Sequence, residues 1–176
     1  MRLVLPLGAA GVGDITARII AERLGDKLGQ RFVVENMPGP GGIVAGRAVL
    51  SAPADGYTLL LMTGGIASSV PLYNKFPLDM TRPRCPTCRP PSEKGVKGFE
   101  AAYWNAVYAK AGTPPQILAT LNKAMQEVLA EPDVKKRLLD LGIDSKASTP
   151  AEMDAQMRGD ITKWTEVIDR AGIEKR

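Results

Sequence analysis

The chain has 176 residues, 44% of them hydrophobic and 24% charged, with a net charge of +4 and no histidine. That length suffices for one domain with its own core, and the composition excludes a disordered or fibrous chain. No apolar run reaches membrane-spanning length, and at 5% aromatics, with Arg18, Arg23 and Lys27 interleaved with Glu22 and Asp26, no nucleic-acid partner is expected. Without histidine there is no Ser-His-Asp or Cys-His machinery and no usual zinc ligand.

The opening, MRLVLPLGAAG, has the make-up of a short signal peptide. Its apolar run stops at a Gly turn and meets a capped helix at once, so we read it as the first strand of the mature fold, with no signal peptide in this chain. In the helix that follows, Asp14 can cap. Ile15, Ile19, Ile20, Leu24 and Leu28 form the apolar stripe, and Gly29 ends it. A second strand at 32–35, the turn through Gly39, Gly41 and Gly42, a short helix from about Ile43 and a third strand at 57–62 complete a βαβ series. Strands alternating with helices give a parallel sheet whose ligands bind in loops at the carboxyl ends of the strands. Residues 80–98 are rich in Pro, Arg and Lys without an apolar period and read as a loop.

Beyond it comes a strand-like stretch at 101–109 and then three helices. Thr113-Pro114 caps the first, with Ile117, Leu121, Met125 and Val128 inward. Pro132 opens the second, burying Val134, Leu138 and Leu141 before Gly142, and Lys135-Lys136-Arg137 form a solvated face. Thr149 and Glu152 frame a capping box for the last, whose Met153, Met157, Ile161, Trp164 and Ile168 lie on one stripe.

Three motifs bear on function. Gly8, Gly11 and Gly13 lie between a strand and a helix, with Glu35 about twenty residues on, which is close to a dinucleotide fingerprint for a Rossmann-like enzyme. Against it, Asp14 would add like charge where a pyrophosphate sits, and Pro6 removes a donor just before the turn. A smaller carboxylate could be held by the amides of Ala9, Ala10 and Gly11 at the helix N-terminus; alternatively the glycines only allow a tight turn. Thr63, Gly64, Gly65 and Ser68 follow the third strand and offer amides and hydroxyls at the same sheet edge. Cys85-Pro86-Thr87-Cys88 lacks the other half of a zinc ribbon; its neighbouring arginines favour thiolate, but Pro83, Pro90 and Pro91 block the helix a redox dithiol normally opens, so a thiol redox module stands third behind a carboxylate receptor and a dinucleotide enzyme. No catalytic constellation is legible, so the chain is expected not to be an enzyme and to need no cofactor or metal.

LVLPLGAAGVGDITARIIAERLG, VVENMPGPGG and APADGYTLLL resemble the opening of the Bug (TctC-like) family, the solute-binding receptors of tripartite tricarboxylate transporters. GVKGFEAAYWNAVYAKAGTP, Leu141-Gly142 and the TPAE before the last helix resemble its end. The resemblance implies an α/β fold, a type II periplasmic-binding-protein lobe with a parallel-rich sheet flanked by helices. It also implies a periplasmic location, membrane transporter subunits as partners and a small organic anion as ligand: a di- or tricarboxylate, an acidic amino acid or an aromatic acid. Carried over, Leu7, Gly8, Ala9, Ala10, Gly11 and Asp14 with Thr63, Gly64, Gly65 and Ser68 hold one carboxylate end. The chain departs from the family at Ala10, commonly Gly, and at Val70, where Asn often precedes the Pro.

The family's second lobe, an insertion between the two matched regions, is missing. We therefore expect residues 1–79 to be the N-terminal half of the ligand-binding lobe, 80–98 an irregular junction and 99–176 the returning strand and C-terminal helices of the same lobe. The family often carries Leu-Pro-Asp-Val-Pro near the junction. Written CTG CCC GAC GTG CCG and read one base along, those codons give Cys-Pro-Thr-Cys-Arg, the sequence from Cys85 to Arg89. An internal deletion with a local frame slip is expected, and with it an exposed strand edge that can pair with a second chain.

Overall fold

The computed structural model describes residues 1–74, the backbone of 87–88, and 103–175. Strands β1 (Arg2–Leu5), β2 (Val33–Asn36), β3 (Thr58–Thr63), β4 (Thr87–Cys88) and β5 (Asn105–Ala109) form one sheet in the order β2-β1-β3-β5-β4. β1 runs parallel to β2 and β3, while β5 lies antiparallel to β3 and to β4. Both halves of the chain thus share one sheet. The short β4 falls inside the stretch read from sequence as loop; Cys85 lies outside the described residues.

Alternate strand residues feed two cores. Leu3, Leu5, Leu59, Leu61, Val107 and Ala109 face helices α1 (Val12–Leu28), α4 (Pro115–Ala130) and α5 (Pro132–Asp140). Val4, Leu60, Met62, Ala106 and Tyr108 face α2 (Ile43–Ser51), α3 (Gly64–Ser69) and α6 (Pro150–Arg170). Covered on both sides, the central strands read as continuous apolar runs rather than alternating ones.

The chain leaves β1 through α1 to β2 on one side, then returns through α2 to β3 on the other. The connections therefore diverge between β1 and β3, opening a crevice beyond their carboxyl ends. β5 begins at that same edge, since Asn105 stands opposite Thr63 in the antiparallel register.

Several local expectations change. Ile15 is 39% exposed and Val12 52%, because the first turn of α1 projects past the sheet toward the crevice. Asp14 does not occupy the N-cap: Gly11 does, without a side-chain cap, and Asp14 sits in the first turn. Thr113 Oγ1 donates to the Lys110 carbonyl, leaving Pro114 as N-cap of α4 with Pro115 in its first turn. Residues 64–69 form α3 rather than a loop. The capping box at Thr149 and Glu152 is present as read.

Candidate ligand site

The crevice holds a cavity of about 500 Å³ lined by Leu7, Gly8, Ala9, Gly11, Val12, Gly13, Asp14, Tyr103, Asn105 and Ile143. Its floor is the β1–α1 connection. Helix geometry leaves the first-turn N–H groups of α1, on Val12, Gly13 and Asp14, without intrahelical acceptors, and the helix has no side-chain cap. Those donors, with the positive end of the helix dipole, are a seat for an anion.

Asp14 organises the connection. Only 4% exposed, it accepts the Ala10 N–H at 2.9 Å through Oδ2. Arg18 Nε donates to the same oxygen at 3.0 Å, and Asn36 Nδ2 to Oδ1 at 2.9 Å. Asn36 also donates to the Leu7 carbonyl at 3.1 Å, tying β2 to the loop. The Arg18 hydrogen bond, aided by Asn36 and the Ala10 amide against the opposing effect of burial, lowers the Asp14 pKa to about 2. Asp14 therefore stays charged at neutral pH, and Arg18 neutralises it from one turn along the helix.

Of the residues read from sequence, Leu7, Gly8, Ala9, Gly11 and Asp14 line the cavity; Ala10 does not. Ala10 instead makes the tight turn, with φ of 65°. Thr63, Gly64, Gly65 and Ser68 stand at the same sheet edge but outside the cavity wall. The Gly64 N–H is taken by the Trp104 carbonyl, and Ser68 Oγ donates to the Gly65 carbonyl. Sequence reasoning missed Tyr103, Asn105 and Ile143. Asn105 left a signal, a lone amide in the apolar run Trp104-Asn105-Ala106-Val107. The other two reach the cavity only through long-range packing.

The dinucleotide reading fails on charge and occupancy. Arg2 holds both Glu35 oxygens, Nε to Oε1 at 2.8 Å and Nη2 to Oε2 at 2.7 Å, so Glu35 is not free for a ribose. The ionised Asp14 lies beside the helix N-terminus where a pyrophosphate would sit. Among the described residues no cluster of three His, Cys, Asp or Glu side chains could hold a metal, and no helix is long and apolar enough to cross a membrane.

Comparison with known proteins separates these readings. Residues 16–86 and 80–173 match the tripartite tricarboxylate transporter family receptor (TctC) in two stretches that meet at the junction. The UPF0065 protein in the TAR-I ttuE-ttuC' intergenic region of Agrobacterium vitis is 27% identical over 170 residues, covering 94% of this chain and 47% of that protein. The chain thus spans about half the length of that relative. Among solved structures, the periplasmic binding protein BugD superposes with a TM-score of 0.87 at 20% identity, covering 100% of this chain and 98% of that one. MatC from Rhodopseudomonas palustris with bound malate gives 0.82 at 18% identity, covering 96% and 98%. These structures share the fold, and the family is one of substrate-binding receptors rather than enzymes. The chain belongs to the tripartite tricarboxylate transporter receptor (TctC) family.

Proposed function

We propose that this chain is a receptor lobe for small organic carboxylates, binding them in the crevice between the β1–α1 and β3–α3 connections. The observation that carries the reading is the cavity floored by unfilled α1 amides at the point where the sheet connections diverge. Leu7, Gly8, Ala9, Gly11 and Asp14 form the anion seat. Ala10 shapes it, while Thr63, Gly64, Gly65 and Ser68 stand at the same sheet edge outside the cavity wall. MatC, which shares the fold, was solved with malate.

In the family setting the lobe serves in the periplasm and delivers its ligand to the membrane subunits of a tripartite tricarboxylate transporter. The described residues supply one lobe, and a ligand held by that lobe alone has one side in water, where electrostatic contacts are weak, so affinity is reduced. Beyond Ala106 no described strand covers β5, and that edge is where a second copy pairs; sedimentation that stays monomeric up to high concentration would rule this out.

A thermal-shift screen against a panel of organic acids tests the main reading. At ten times Kd a bound acid adds about 1.4 kcal/mol to stability, a shift of several degrees. If no acid at tens of millimolar raises the midpoint, the receptor reading is wrong.

A further inference from the structure

We propose that the crevice selects a singly charged organic acid with an apolar body, and that Asn105 is the residue that reads a polar substituent on it. The proposal rests on the receptor reading above and narrows it to a ligand class.

Charge sets the class. None of the described lining residues carries a positive side chain, and the ionised carboxylate among them is Asp14. Arg18, one turn along α1, is committed to Asp14 and Asn36. Among the described residues, what remains to attract an anion is the N-terminus of α1, equivalent to roughly half an elementary charge. That offsets about half the charge of one carboxylate and leaves nothing for a second. A second carboxylate in the same cavity would face Asp14 with no cation of the described lining residues between them, a like-charge pair in a partly desolvated space. The rest of the wall is Leu7, Val12, Ile143 and the ring of Tyr103. Val12 and Tyr103 are half-exposed apolar surface at 52% and 50%. Such a wall fits a ring or an alkyl chain.

Asn105 supplies the one uncharged polar side chain of the wall that is deeply buried. It is 7% exposed, lines the cavity, and its Oδ1 has no hydrogen-bond partner. Its place in β5 opposite Thr63 fixes it at the mouth of the crevice. A buried carboxamide left unpaired is costly, and a partner entering the cavity would relieve it. The group can accept from a hydroxyl through Oδ1 or, turned over, donate to one. Sites built to pair such a group discriminate strongly between ligands with and without the matching substituent.

The test is an amide chemical-shift titration of the labelled chain with benzoate, the hydroxybenzoate isomers, succinate and citrate. The benzoates should move the amides of Gly8, Ala9, Gly11, Val12 and Gly13 with at least threefold tighter apparent Kd than succinate or citrate. One hydroxybenzoate isomer should bind at least fivefold tighter than benzoate. Asn105→Leu should bring the ratio of hydroxybenzoate to benzoate Kd to within twofold of one, and Asn105→Ala, which adds no volume and no polar group, gives the same readout should the leucine variant fail to fold. Tightest binding by citrate or succinate at these amides overturns the proposal and leaves the receptor reading standing. A hydroxyl preference unchanged in both variants removes the role of Asn105. Shifts from none of the acids sink both readings.

Discussion

At the scale of single residues, the β1–α1 connection stores two testable contributions. Asp14 ionises at a pH near 2 in the folded chain, against an ordinary value of 3.8. A depressed carboxylate pKa stabilises the fold above its unfolded value and is lost as pH falls through the folded one. Stability should therefore drop by roughly 1–2 kcal/mol between pH 4.5 and pH 2 on account of Asp14. Urea unfolding of the parent and of Asp14→Asn checks this: the variant should lack that part of the decline, and parallel curves would disprove the assignment. Ala10 is the opposite case, a strained residue. Its φ of 65° puts a Cβ in the left-handed region, at a cost of about 1 kcal/mol. Ala10→Gly removes the Cβ, and the relief should outweigh the added freedom of the unfolded chain by about 0.5 kcal/mol, read as a raised urea midpoint. An unchanged or lower midpoint would show that the turn is not strained. The sequence displayed the substitution, but its conformation had to come from the fold.

Individual elements were legible where a local rule decides them and obscure where packing does. The Thr149–Glu152 box, Pro132 at the start of α5 and the turn at Gly29 were each readable because a side chain or a ring fixes the backbone on the spot. The first turn of α1 was misjudged because periodicity places Ile15 on the apolar face, yet the sheet ends before that face can be covered. The DGYT string sits between these cases. Asp55 Oδ1 accepts the Tyr57 N–H at 2.9 Å, and Gly56 between them takes φ of 79°. A Cβ on Gly56 would stand 2.4 Å from Ile117 Cγ2, so the turn also fixes how closely α4 approaches the sheet. Gly56→Ala should thus cost about 2 kcal/mol or more, combining left-handed strain with overpacking. Ile117→Ala in the same background should return the packing part alone. Equal losses in both backgrounds would mean the contact with α4 is not what the glycine permits.

For the whole molecule, the sequence matches the family in two stretches, and the structure shows how the described parts of both hold together. The antiparallel β3–β5 pair joins the two stretches, burying Val107 and Ala109 against α1 and α4 and Ala106 and Tyr108 against the opposite layer. Which residues of the second half would reach the crevice was not readable, because Asn105 and Ile143 arrive there only once β5 is in register and the α5–α6 connection is packed. The two family matches overlap at 80–86, and the gene tests the internal deletion expected there: a shifted frame over codons 85–89 should encode Leu-Pro-Asp-Val-Pro, and its absence would exclude the frame slip. Among the described residues there is a single sheet with its own two cores and no second body to swing. Its radius of gyration should lie near 16 Å for this length and stay the same on saturation with a carboxylate. A two-lobed receptor that closes around its ligand contracts instead. Small-angle scattering of the free and loaded chain distinguishes them. A contraction beyond 1 Å, about the change a hinge closure would produce in a chain this size, would mean that a closing partner surface exists, supplied by a second copy or by the rest of the chain, and that the crevice is not half of a clamp standing alone.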